Sequence, residues 1–362
     1  MFYLKGLQPD LHIKKKIKIN KKMVSIIIVN FNGKTFLNNC LKSIFKNNYK
    51  NFEIIIVDNH SSDNSIVFIK KQFSIYAKKI KIIELKNNFG PAYARNQGVK
   101  QAKGKIIAFL DNDTEVDNNW ISKANKEFEN DKNIGCIQSK LLLLDEKNKF
   151  DYAGDFLNQF GLLSHRATYK DIDAGQFNQK AIIFAAKSAG MFIRKKVFDQ
   201  IDGFDNDYFI YMEETDLCWR SWLAGYKTLY CPNSVVYHGF SGSFKLLSSK
   251  LATYNLRFHG TKNYILTIIK NLSTKNLIKI LPKQLCIFFL YSVYLFFLKF
   301  KFKESLYIIL GIIWNIIHLQ KSFIKRHKIQ KNRVLDDKQL FSYIYKKDSL
   351  LNKINKSILL KI

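Results

Sequence analysis

The stretch KIIAFLDNDTEVD, residues 105–117, carries an apolar run straight into Asp111 and Asp113. Two carboxylates one residue apart at the end of a buried strand repel each other and resist desolvation, so a cation is expected beside them. From these residues alone that partner is a metal, a lysine, or nothing, since DND also ends strands as an Asx-turn. A second group of acids, Glu213, Glu214 and Asp216, stands at the start of the helix-like MEETDLCWRSWLAGY (212–226), where the helix dipole favours negative charge. Asp216 and Arg220, four apart, also read as a plain ion pair on one helix face.

Several elements must position these groups. VSIIIVN (24–30), FEIIIVD (52–58), IKIIEL (80–85) and KIIAFLD (105–111) are short, β-branched and nearly continuous in apolar character, the pattern of strands buried on both faces. Helix-like stretches at 35–46, 63–73 and 91–102 separate them, which predicts βαβ units, right-handed crossovers and a mostly parallel sheet. Asn30 and Asn32 follow the first strand, Asp58 to Asp63 the second, Asn87 and Asn88 the third, and Asp111 and Asp113 the fourth. All then share one sheet edge, where open α/β sheets bind ligands. Ser61, Ser62 and Asp63 read as a cap for the next helix. No G-x-G-x-x-G follows the first strand and no P-loop sequence occurs. Further on, 135–144 and 181–195 read as strands, and 227–243 as strand, turn, strand and a Gly/Ser-rich loop. Trp219 and Trp222 are expected to pack in the core.

The chain has 362 residues, 47% of them hydrophobic, enough for a domain with appendages and incompatible with disorder. Its formal charge of +30 points to an anionic partner, although lysine is overused throughout. Five scattered cysteines form no CxxC pair, which fits a reducing cytoplasm. Residues 1–22 form a basic arm without signal-peptide features, so the folded part is expected to remain inside the cell. Near the end, 284–298 and 305–319 are apolar runs of about 15 residues each, roughly 22 Å as helices against roughly 30 Å of hydrocarbon. They predict an interfacial or re-entrant hairpin rather than a spanning pair. Leu351, Ile354, Ile358 and Ile362 make one apolar stripe opposite Lys353 and Lys356, as interfacial helices do.

VSIIIVNFNG, IIIVDNHSSDNS, NNFGPAYARNQGVKQAKGKIIAFLDNDTEVD, GMFIRKKVFDQIDGFD and YMEETDLCWRSWLAGY followed by His238, in that order over residues 23–262, resemble a family 2 glycosyltransferase. The similarity is to the rhamnosyltransferase-like branch of bacterial surface polysaccharide and cell-wall synthesis. It implies a GT-A α/β domain (23–118 nucleotide-binding, 119–262 acceptor-binding) followed by a membrane-associating helical region, 263–362. The implied reaction is inverting transfer from a dTDP- or UDP-sugar, rhamnose first, to a glycan or lipid-linked glycan at the inner face of the membrane.

By the same resemblance, Asp113 and Asp111 with His238 hold a divalent metal, Mn²⁺ or Mg²⁺, on the diphosphate. Asn30, Asp58, Asn88, Arg95 and Asp111 serve the nucleotide sugar, with Asp58 accepting from a pyrimidine ring N–H. Gly190 and Met191 open a strand beside the acceptor pocket. The family base is the Asp of a Glu-Asp pair; Glu213-Glu214 stands here, so Glu214 takes that position, with Glu213 or Asp216 able to share the task. Two other classes are weighed: an inactive membrane scaffold of the same fold, and a nucleic-acid binder. The second would need basic residues gathered on one face, whereas the lysines are spread and the carboxylates are gathered, so no nucleic-acid partner is expected.

Overall fold

The computed structural model describes residues 23–239 and 249–344; the basic arm 1–22 and the stripe at 348–362 lie outside the described residues. Four strands, β1 (Val24–Asn30), β2 (Phe52–Asp58), β3 (Ile80–Glu84) and β4 (Ile106–Asp111), pair in parallel in the order β3-β2-β1-β4. Their connections carry α1 (Lys34–Lys46), α2 (Ser65–Gln72) and α3 (Pro91–Lys100). The register sets Asn30 opposite Asp58 and Val29 opposite Asp111, so the polar residues end level on one edge.

Both faces of these strands are covered, which is why their sequences are apolar without alternation. Ile26, Ile28, Ile54 and Ile56 pack with Leu37, Leu41 and Ile44 of α1 and with Trp120 of α4 (Trp120–Asn130). Ile27, Ile55, Val57 and Phe109 face the other way, toward α3 and α6 (Glu213–Leu223), where Trp219 and Trp222 are fully buried. Each such side chain contributes about 1.5–3 kcal/mol on burial.

Beyond β4 the sheet becomes mixed. A short β5 (Thr114–Val116) follows the acidic turn, and β6 (Ile134–Leu143) is followed by β7 (Phe150–Tyr152) and a separate hairpin of β8 (Asp155–Leu157) and β9 (Leu163–His165). The run expected as one strand at 181–195 divides into β10 (Ala181–Ile183), an edge strand, and β11 (Met191–Arg194), inserted antiparallel between β4 and β6. A tight turn at Ser188–Gly190 separates them, and both halves are equally apolar, so the run gave no sign of the break. At 227–238 the reverse holds. One strand, β12 (Lys227–His238), replaces the expected strand-turn-strand, and the Pro232 segment is a bulge between Cys231 and Val235 in the pairing with β6. α5 (Lys195–Gln200) follows β11.

Six further helices complete the described chain. α7 (Ser249–Tyr254) passes through a π-helical turn at Asn255–His259 into α8 (Gly260–Asn271), which is buried along its whole length. α9 (Thr274–Phe297), α10 (Phe302–Ile317), α11 (Leu319–Lys331) and α12 (Asp337–Ile344) follow. Tyr264, Ile268, Leu277, Phe288, Ile308 and Leu340 belong to the same apolar cluster as Trp219 and Phe109. The core is therefore continuous across residue 262, which lies inside α8 rather than at a seam.

The apolar run at 284–298 is only the second half of α9. Leu277, Ile280, Gln284, Phe288, Ser292 and Leu295 make a buried stripe that reaches back past Lys275, Lys279 and Lys283. At 24 residues α9 is about 36 Å long. It is long and apolar enough to cross a membrane by length and composition, while α10 and α11 meet at a 66° bend.

Acids and bases join this helical layer to the α/β domain. Asp205 lies 2.5 Å from both Lys270 and Lys325, and Asp207 lies 2.6 Å from Lys321 and Lys325. Burial alone would push the Asp205 and Asp207 carboxyls up, but these ammonium groups hold both below the usual carboxylate range. A carboxyl with a folded pKa below its unfolded value contributes stability above the unfolded value and loses it as pH falls through the folded one. Through these two carboxyls, stability to thermal unfolding is therefore expected to weaken below about pH 4. Asp207→Asn should cost about 1.5–3 kcal/mol at neutral pH and flatten that acid limb; an unchanged limb would remove this network from the stability of the fold.

Candidate active site

Local backbone demands explain why the strand-end loops converge. Asn32 adopts the left-handed region at φ 51°, and Gly33 follows where a Cβ would lie 1.9 Å from the Asn112 amide nitrogen. Glycine thus lets the start of α1 close on the acidic turn. Asn30, fully buried, donates to Asp58 Oδ1 at 2.8 Å and accepts from Asn112 Nδ2 at 3.0 Å. A single amide therefore links the second-strand and fourth-strand loops.

Asp58 also accepts from the Ser61 hydroxyl at 2.6 Å and the Ser61 N–H at 3.0 Å. Three of a carboxylate's roughly four acceptor positions are thereby used, leaving one on Oδ2. Of the expected cap, Asp63 bonds the amides of Lys34 and Ser65, whereas Ser61 serves Asp58 and Ser62 bonds Asn32. Asn88, exposed, accepts from Asn59 at 2.7 Å and from the Gly90 N–H at 3.0 Å, shaping the turn into α3.

Asp111 and Asp113 meet His238 because β12 pairs antiparallel with β5, setting His238 opposite Thr114. His238 Nε2 lies 3.4 Å from Asp113 Oδ1 and 4.0 Å from Asp111 Oδ2, and the three ligand atoms fall within 4.8 Å of one another. Two carboxylates and one imidazole in that space form a donor set that fits a divalent cation. On the far side of the ring, Nδ1 lies 3.0 Å from Asp151 Oδ2, a carboxylate–histidine contact that aims Nε2 at the two acids. Asp151 sits on β7, away from every acidic motif in the sequence, and nothing in its neighbourhood of FDYAGD marks it as part of a site.

Arg95 occupies the other side of Asp111. Its guanidinium is buried and lies 3.2 Å from Asp111, 3.0 Å from Glu213 and 3.9 Å from Glu214. Instead of an arm reaching outward to a diphosphate, Arg95 is a counter-charge spent on three carboxylates. Burial and then the neighbouring Glu214 charge push the Glu213 carboxyl up to about 8, with Arg95 pulling it back. Burial thus shifts Glu213 toward its neutral form. Glu214 is more open, and its Oε1 accepts from the Ser188 hydroxyl at 2.7 Å and the Ser188 N–H at 3.2 Å. Ser188 comes from the tight turn before Gly190 and Met191 and has no motif of its own.

Asp216 stands apart. It is fully buried, with oxygens 2.8 Å from Arg220 Nη2, 3.0 Å from Lys270 Nζ and 2.8 Å from Asn271 Nδ2. With its lone pairs engaged and no exposure, it takes the ion-pair role and not that of a base. The site thus joins a three-group metal-type cluster to an acid pair through one arginine, an arrangement able to hold a cation-bound phosphate beside a proton acceptor.

Residues 25–201 match the family described as Glycosyl transferase family 2, so the chain carries a family 2 glycosyltransferase domain. A 94-residue segment, 25% of this chain, is 44% identical to 36% of an Escherichia coli protein named UDP-Glc:alpha-D-GlcNAc-diphosphoundecaprenol beta-1,3-glucosyltransferase WfaP. Among solved structures, the fold is similar to GalNAc-T7 with UDP, GalNAc and Mn²⁺ (TM-score 0.57, 19% identity, covering 71% of this chain and 49% of that one). It is also similar to Staphylococcus aureus TarS 1-349 in complex with UDP-GlcNAc (TM-score 0.52, 16% identity, 86% and 88% coverage). These likenesses establish a GT-A-type α/β fold. The chain aligns with 25%, 42% and 33% of the length of three curated relatives, so those matches speak for a shared domain.

Burial would lower the His238 imidazole's pKa, but hydrogen bonds to Asp113 and Asp151 raise it to about 10 in the metal-free chain. Binding of a divalent ion through Nε2 must therefore displace a proton at pH 7. Mn²⁺ titration by calorimetry in buffers of different ionisation enthalpy is expected to report release of about one proton. Asp113→Ala should abolish binding, and a titration with no buffer dependence would take His238 out of the ligand set.

Proposed function

We propose that this protein is an inverting glycosyltransferase that moves a sugar from a UDP- or dTDP-sugar to a hydroxyl of a growing surface glycan. The observation that carries this reading is the joining of Asp111, Asp113 and His238 to Glu213 and Glu214 through Arg95. When bound at the first three residues, a divalent ion would supply positive charge to the leaving diphosphate. Glu214 then accepts the proton of the attacking hydroxyl as the new bond forms on the opposite face of the sugar, and Ser188 keeps its carboxylate aimed. Glu213, shifted toward its neutral form by burial, limits the negative charge beside it. Asp58, with one acceptor position left, receives the ring N–H of uracil or thymine. The resemblance in the sequence makes dTDP-rhamnose the first donor to try, while the UDP in the two solved neighbours supports a uridine donor.

The acceptor reading is a glycan on a polyprenyl diphosphate lipid, as the WfaP name describes for that protein. Supporting it, α9 and α10 leave Phe289, Leu290, Phe296, Phe297, Leu306 and Ile317 well exposed, a face that suits a bilayer rather than water. Glu304 is the only acid between Asp216 and Asp336, against a long series of lysines and arginines, which suits anionic headgroups. Both features support a location at the cytoplasmic side of a membrane.

Two measurements decide these points. Turnover with a panel of UDP- and dTDP-sugars, with and without Mn²⁺, should find one productive donor. Glu214→Gln should then lower turnover by about 10²–10⁴ while donor binding persists; normal turnover would move the base elsewhere. In flotation with vesicles containing anionic lipid, wild type should rise with the vesicles and a Phe296→Asp, Phe297→Asp double variant should not. Equal flotation of both would remove the hairpin from membrane contact.

A further inference from the structure

The segment Asp205–Met212, which leads into Glu213, is held from the C-terminal side by α8. Lys262 Nζ donates to the Asp207 carbonyl at 2.6 Å, and Asn263 Nδ2 donates to the carbonyls of both Ile210 and Tyr211 at 2.8 Å. The Tyr208 hydroxyl meets Thr267 Oγ1 at 2.8 Å. Lys270, 1% exposed, bridges Asp205 and Asp216, and Asn271 donates to Asp216. One polar stripe on one helix thus grips both the approach to α6 and its first turn.

The grip coincides with strain. Tyr211 and Met212 adopt φ of 68° and 66°, two successive non-glycine residues in the left-handed region immediately before Glu213. Such a conformation is strained for a residue with a side chain and persists only where the surroundings over-determine it. The two carbonyls that Asn263 binds belong to this turn, one of them to Tyr211 itself. Relaxing the turn would swing the start of α6 and move Glu213 and Glu214 away from Arg95 and Ser188.

We infer that Asn263, supported by the polar face of α8, is a positioning residue that fixes the acid pair at the start of α6. The helical layer is then part of the catalytic apparatus as well as a contact for membrane. This rests on the glycosyltransferase reading for its kinetic consequence, but not for its structural one.

Two readouts test it. Asn263→Leu keeps the volume and removes the donor. Backbone amides of residues 210–214 are expected to exchange faster in that variant, by about ten-fold or more, with the strands β1 to β4 unchanged. Turnover with the productive donor should fall by about ten-fold or more while the donor KM stays within about two-fold, because positioning and not donor affinity is lost. Asn315→Leu serves as the control: Asn315 is buried in the same layer and bonds the carbonyls of Lys262 and Gly311, without touching the turn. It should lose stability but keep turnover. If Asn263→Leu fails to fold, Thr267→Val, which gives up the Tyr208 contact, takes its place with a smaller loss of turnover of about three-fold. Unchanged exchange at 210–214, or equal loss of turnover in Asn263→Leu and Asn315→Leu, would overturn the inference. If wild type turns over no donor, the glycosyltransferase reading fails, and the exchange comparison still decides for or against the grip of Asn263.

Discussion

Like charge brought together out of water is the constraint on which the rest of the structure depends. Asp111 and Asp113 arrive on one loop, Glu213 and Glu214 on a helix start about a hundred residues later, and Asp151 on a third element. Left alone, this set would not fold into one place, since desolvating several carboxylates costs far more than their packing returns. Arg95 and His238 make it possible. Arg95 comes from α3 and reaches the acids at the start of α6; His238 comes from the end of β12 and reaches the acids that follow β4. Each cation crosses a long stretch of sequence, so distant elements are held together at the site itself.

That crossing also sorts two adjacent glutamates into different roles. Glu213 is sealed against Arg95, where burial favours its neutral form, and Glu214 opens toward Ser188. The Ser188 turn anchors Glu214, offering it both a hydroxyl and an N–H.

How far the sequence disclosed this follows from what kind of signal each part leaves. β1 to β4 are read directly, because strands buried on both faces leave unbroken β-branched runs, and their polar ends lie where the register sets Asn30 against Asp58. Asp111, Asp113, Arg95, Glu213, Glu214 and His238 converge, and all stand in motifs. Asp151 and Ser188 stayed hidden, since each lies in a short, unremarkable segment and owes its place to strand pairing at long range. The split of 181–195 into β10 and β11 was illegible for a similar reason: an apolar run says that it is buried, not which neighbours it has. α9 was read as half its length because hydropathy sees the apolar run and passes over a stripe that continues beneath lysines.

The join between the α/β domain and the helical layer adds ion pairs to an apolar core that already runs across it. Replacing such pairs by well-packed apolar groups is often neutral or stabilising, so their presence is weak evidence of added strength. What they supply is direction. An apolar surface can slide by a fraction of a turn at little cost, whereas Lys270 between Asp205 and Asp216 has one place to sit, as has Asn263 between two carbonyls. The turn at Tyr211 and Met212 needs that definition, because its left-handed backbone would relax under looser packing. The helical layer that supplies Lys270 and Asn263 thus bears directly on the segment that leads into Glu213 and Glu214.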